Sequence, residues 1–168
     1  EDGVLTAANT LTDEDGVGGT SITALGSPND VQSGLVGYWK LDGNVKDETG
    51  KSVDGSIMSN ATLDGTGISG QALVIPGGDD EKSAVLIPDY DYNVLDNKDK
   101  TFTLSYWIKP TAQPNGSWER ITARRGYEDT SFGGSGTLRY YFRNDWIDTE
   151  VAAPLNEWTH VTWVATDS

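Results

Sequence analysis

Apolar and polar positions alternate with a period of two through most of the chain after residue 33, as in strands that turn one face to a core. In Gly34-Leu-Val-Gly-Tyr-Trp-Lys-Leu-Asp-Gly43, Leu35, Gly37, Trp39 and Leu41 fall on one side of an extended chain. Val36, Tyr38 and Lys40 fall on the other. The same grammar returns in Thr101-Phe-Thr-Leu-Ser-Tyr-Trp-Ile-Lys-Pro110 and in Asn156-Glu-Trp-Thr-His-Val-Thr-Trp-Val164. Shorter runs lie at Ile57-Met58, Gln71 to Ile75, Ala84 to Ile87, Ile121 to Arg124, Gly136 to Arg143 and Trp146 to Val151. Together they predict about eight strands. Asp42-Gly-Asn44, Asp54-Gly55, Asp64-Gly-Thr-Gly67, Pro76-Gly-Gly78 and Pro88 supply turns between them, and Arg124 to Gly136 reads as a long flexible loop. No window keeps a 3.6-residue apolar period, so helix is a minor component. The expected fold is all-β, an antiparallel sandwich of two sheets.

Composition narrows the function. Cysteine is absent, which removes disulfide frameworks, zinc–thiolate sites and cysteine catalysis. A net charge of −14 argues against nucleic acid, whose phosphates need basic patches, and against anionic lipid surfaces. It leaves solubility and hard-cation binding as uses for the carboxylates. No apolar run reaches membrane-spanning length, so no membrane insertion is expected. The chain opens on Glu1 with neither an initiator Met nor a signal peptide, and is expected to be part of a larger multidomain protein.

Residues 1–33 carry no Lys, Arg or aromatic side chain and read as a linker or the tail of a preceding domain. Leu5 to Gly16 resembles the calcium-linked, immunoglobulin- or cadherin-like repeats of bacterial adhesins, which implies Asp13-Glu-Asp15 as inter-repeat ligands. Residues 34–168 carry a stronger resemblance. Their opening Gly-Leu-Val-Gly-Tyr-Trp-Lys-Leu-Asp, then Gly67-Ile-Ser-Gly-Gln-Ala-Leu-Val-Ile75, Phe102 to Pro110 and Pro154-Leu-Asn-Glu-Trp-Thr-His-Val161 are similar, in order, to elements of the laminin G-like, concanavalin A-like lectin/glucanase jelly roll. The resemblance implies a concanavalin A-like jelly roll that stops at Ser168, where family members continue into a further hairpin.

The chemistry expected of such a domain is recognition. The glucanase pattern Glu-x-Asp-x-x-Glu is absent; Asp148-Thr-Glu150 places two carboxylates on one strand face, about 7 Å apart, without the third acid. No catalytic residue is assigned. His160, the one histidine, lacks a sequence-marked nucleophile beside it and is expected to pack in its strand. Calcium is the expected cofactor, with Asp42, Asn44, Asp47 and Asp54 as ligands from two tight turns. Such turns supply the oxygens that Ca²⁺ takes, although Asx-turn capping uses the same residues; the resemblance also implies a bound calcium ion. Asp79-Asp-Glu81 is a second acidic turn. Trp39, Phe102, Trp107, Trp158 and Trp163 are expected in the core. Among aromatic residues in loops, Tyr90, Tyr92, Trp118, Tyr127 and Phe132 stand out, and Trp118, Arg125, Tyr127 and Phe132 are the expected ligand contacts, since loops on a rigid sandwich carry recognition. The resemblance therefore implies a carbohydrate or glycoconjugate recognition module of a secreted or cell-surface protein, with a role in adhesion. The alternatives are a structural spacer without a ligand and a fragment of a glycoside hydrolase.

Overall fold

The computed structural model describes residues 34–77, 83–88, 102–113, 119–124, 128–133, 136–142 and 145–165. The chain divides into two compact units, Glu1–Val36 and Gly37–Ser168, and every named element belongs to the second. All of them are strands: β1 Ser56–Met58, β2 Thr62–Thr66, β3 Gln71–Val74, β4 Ala84–Leu86, β5 Phe102–Ile108, β6 Glu119–Arg124, β7 Glu128–Phe132, β8 Thr137–Phe142, β9 Asp145–Ala152 and β10 Thr159–Ala165. Each pairing is antiparallel. β6-β7-β8-β9 form a meander, while β5 pairs with β10, β1 with β4 and β2 with β3.

Two of these sheets enclose a core. On β5, Phe102, Leu104, Tyr106 and Ile108 share the half-buried face, as the alternation predicts, and Thr103, Ser105 and Trp107 share the exposed one. The β10 register sets Val161 opposite Tyr106 and Trp163 opposite Leu104. Trp163 stacks on Tyr140 of β8, ring centroids 5.0 Å apart. Its indole N–H donates to the Tyr106 hydroxyl at 3.1 Å, and that hydroxyl also bonds to Thr130 of β7. Thr130, at 0% exposure, is fully buried. The two sheets therefore stack face to face, with Leu138, Tyr140, Val161 and Ala165 among the buried side chains. This is a β-sandwich. Burial pushes the Tyr106 phenol pKa up, against the opposing pull of its bonds from Thr130 and Trp163.

Three sequence expectations are corrected. The predicted strand 35–41 is reduced to a single bridge between Trp39 and Asp47. Its alternation is real, but Leu41 takes φ 58° and Gly43 φ 68°, and the Tyr38 amide donates to the Asp47 carboxylate rather than to a partner strand. Residues 62–66, read in part as a turn, form β2, which pairs with β3 through a register shift between Leu63 and Gly65. The largest correction concerns 124–136. Its centre, Glu-Asp-Thr-Ser-Phe132, is not a loop but β7, a central strand of the meander. Polar residues on both of its faces hide the period of two.

Candidate functional site

The far face of the meander, turned away from β5 and β10, is where charged and aromatic side chains gather. β7 has no irregularity against β8, so Asp129 and Ser131 lie on the face opposite Thr130. Cross-strand register sets Asp129, Tyr141 and Trp146 in one row. Arg120, Ser131, Arg139 and Asp148 make the next. Side-chain contacts agree with this placement. Arg139 forms an ion pair with Asp148, and its guanidinium carbon sits 4.8 Å from the Trp146 ring centroid. Tyr141 and Trp146 rings meet at 4.9 Å. Arg120 forms an ion pair with Asp129 through its Nε. Gly133 gives the Arg139 stem its room: a Cβ there would stand 3.0 Å from Arg139 Cδ and 3.1 Å from Thr137 Oγ1.

Two oxygens on this face are buried without a hydrogen-bond partner, Asp129 Oδ1 and Ser131 Oγ. Asp129 is 7% exposed and Ser131 1%. Burial pushes the Asp129 carboxyl pKa up, although the hydrogen bond and charge of Arg120 pull the other way. An orphaned buried acceptor costs about 1–3 kcal/mol. Such groups are few in native structures, and each has a cause such as strain, a catalytic role, or an ordered water or ion. The expected carboxylate pair Asp148 and Glu150 is not set side by side in regular strand: the β8–β9 pairing is irregular between Asp148 and Ala152. Asp148 instead serves Arg139.

Of the expected ligand contacts, Trp118, Arg125 and Tyr127 lie outside the described residues, as do Tyr90 and Tyr92. Phe132 ends β7 on the side of Thr130 and opposite Leu138, half-buried toward the sandwich interior. Sequence reading missed Tyr141, Trp146, Arg139, Asp129 and Ser131. The available signal was the run Arg139-Tyr-Tyr-Phe-Arg-Asn-Asp-Trp146, dense in rings and charges.

The expected calcium ligands are described, and they do other work. Asp47 Oδ1 accepts the amides of Tyr38 at 2.8 Å and Thr49 at 3.2 Å. Its Oδ2 accepts the Thr49 hydroxyl at 2.7 Å and the amides of Ser52 at 2.9 Å and Lys51 at 3.0 Å. Desolvation acts to raise the Asp47 pKa, but the amide of Tyr38, the Thr49 hydroxyl and the amides of Ser52 and Thr49 outweigh it. They hold the carboxyl well below the usual carboxylate range. Asp54 Oδ1 accepts the Asp47 amide at 3.0 Å. Asn44 Oδ1 accepts the Lys46 amide at 2.9 Å. Asp42 Oδ1 accepts the Gln71 amide at 2.8 Å, pressed over Gly70, whose φ of 69° and lack of room both exclude a Cβ. With both Asp47 oxygens committed to amide and hydroxyl donors, these residues do not fit a calcium site. Among the described residues, no group of three or more His, Asp or Glu side chains is placed to hold a metal ion. Asp79 to Glu81 and Asp13 to Asp15 lie outside the described residues.

A second polar–aromatic patch lies on the exposed face of β5 and β10. Trp107, expected in the core, is 50% exposed, because its parity places it opposite Tyr106. It meets His160 at 4.9 Å between centroids, and His160 Nε2 bonds to Ser105 Oγ at 2.8 Å. The polar atoms here bond to one another. On the meander face Asp129 Oδ1 and Ser131 Oγ are left without a partner, and that difference singles it out as the candidate site.

No family model matches the chain. No curated protein matches it. Among solved structures it is similar to domain 4 of AbnA, a GH43 extracellular arabinanase from Geobacillus stearothermophilus, in complex with arabinotriose. The TM-score is 0.52 at 20% identity, and the match covers 76% of this chain. It spans 65% of the neighbour's chain. At that identity the likeness shows the sandwich fold alone. Among the described residues, no helix is long and apolar enough to cross a membrane.

Proposed function

We propose that this chain is a non-catalytic carbohydrate-recognition module, laminin G-like in its motifs, whose ligand lies on the far face of the β6–β9 meander. One observation carries the reading. Two adjacent rings, Tyr141 and Trp146, share that face with two Arg–Asp pairs and two buried, unpartnered oxygens. Sugars present CH faces that stack on rings and hydroxyls that need directional partners, and this face offers both. The structural neighbour, solved with arabinotriose, supports an oligosaccharide ligand, and its extracellular origin fits a secreted or surface-exposed parent. Adhesion through a surface glycan is the role we assign to it.

A glycan array that includes arabinotriose tests the reading. Wild-type chain is expected to retain at least one class of oligosaccharide, and Trp146→Ala to weaken that binding about tenfold, equivalent to about 1.4 kcal/mol. Absence of any hit across diverse glycans would leave the domain as a spacer. Calcium is expected to change little here: thermal melts in millimolar calcium and in chelator should coincide, because the Asp47 oxygens already hold their donors. A calcium-dependent rise that Asp47→Ala abolishes would restore the ion site.

A further inference from the structure

We propose that the floor of this face grips two neighbouring hydroxyls of one neutral sugar ring, one on Asp129 Oδ1 and the other on Ser131 Oγ. The inference rests on the carbohydrate reading above and names the ligand chemistry of the same site. Asp129 and Ser131 are two residues apart on one strand face, so their Cα atoms stand about 6.6–6.8 Å apart. Two hydroxyls of one ring, each reaching about 2.8 Å to its partner, fit that gap. A carboxylate oxygen only accepts, whereas a serine hydroxyl donates or accepts. A pair of hydroxyls satisfies both, one donating to Asp129 and the other exchanging with Ser131.

Arg120, whose side chain is 62% exposed, meets Asp129 through Oδ2 and so leaves Oδ1 as the oxygen without a partner. The rings complete the grip. Tyr141 adjoins Asp129 in the same cross-strand row and Trp146 follows it, placing Trp146 about 10 Å from Asp129 at two strand spacings. A sugar anchored at Asp129 thus has its neighbours along an oligosaccharide directed over the rings.

Charge decides the class of glycan. Among the described residues, the face holds Arg120 beside Asp129 and Arg139 beside Asp148. An acidic sugar would have to break one of these pairs while approaching a chain of net charge −14, whose field repels it. The site therefore takes neutral oligosaccharides and refuses uronate-bearing ones.

Calorimetric titration of the full chain tests this with neutral trisaccharides (arabinotriose among them) and with trigalacturonate. Ser131→Ala is expected to weaken the neutral ligand about tenfold while leaving the melting temperature unchanged or higher, since it deletes an unpartnered buried hydroxyl. A deoxy analogue lacking the gripped hydroxyl should lose the same factor against wild type and nothing further against Ser131→Ala. Asp129→Asn should weaken binding similarly; if it fails to fold, Ser131→Ala and the deoxy analogue decide. Should Ser131→Ala and the deoxy analogue bind as wild type does while Trp146→Ala loses binding, the two oxygens hold ordered water only and the inference falls. Tight binding of trigalacturonate would overturn the neutral class. If no trisaccharide binds wild type, the carbohydrate reading itself fails, separately from this refinement.

Discussion

Trp163→Ala is expected to lower the stability of the sandwich by about 3 kcal/mol, the range in which large aromatic truncations begin, and its melting temperature by roughly 10 °C. Trp163 is one of the side chains that join the two sheets. Its ring lies on Tyr140 of β8, and its indole N–H bonds to Tyr106 of β5, the strand beside its own. Truncation opens a cavity between the sheets and takes one partner from a half-buried phenol. Trp163→Phe separates the two losses. It keeps most of the ring contact and removes the donor, and it should cost about 1 kcal/mol, the typical net worth of one hydrogen bond. Urea unfolding of the three proteins measures both. Equal midpoints for wild type and Trp163→Ala would mean that the stacked sheets do not depend on this contact.

Asp47→Ala is expected to cost about 2–3 kcal/mol, because one carboxylate organises four amides and a hydroxyl. Bonds to a charged acceptor are worth about 1.5–3 kcal/mol each, discounted here because most of the loop is open to water. The effect has a pH signature. The folded-state pKa lies below the ordinary value of about 3.9, so the unfolded chain takes up the proton more readily. The contribution of Asp47 is therefore complete above about pH 4–5 and is lost as the pH falls from there. Denaturation midpoints measured from pH 6 to pH 2 should fall more steeply for wild type than for Asp47→Asn. Parallel curves would remove Asp47 from the acid response.

How much of this was legible depended on which interactions each residue makes. Strand β5 could be read directly, since Phe102, Leu104, Tyr106 and Ile108 face a core and their apolar period reports it. β3, β4, β8, β9 and β10 also overlap runs read as strands from the sequence. β7 does not. Thr130 enters the core as a polar residue that bonds to Tyr106 and Thr122, and Asp129 and Ser131 serve the opposite face, so neither side of the strand advertises burial. Hydropathy patterns detect burial only where apolar atoms carry it. Trp107 erred in the other direction, a large apolar ring left on the exposed face beside His160.

The sequence by itself determined the class of fold, the positions of most strands, the acidic character that disfavours phosphate-bearing partners, and the placing of Asp42, Asn44, Asp47 and Asp54 in turns. These follow from local periodicity, charge and the short reach of Asp and Asn side chains. Tertiary structure alone decided that Asp47 serves as a hub for amides from Tyr38 to Ser52 and that Asp42 fastens the turn before β3. It alone assembled Asp129, Ser131, Arg139, Tyr141 and Trp146 on one surface. Those residues come from three strands, and what unites them is cross-strand register, which is set by how strands pair and not by any spacing along the chain.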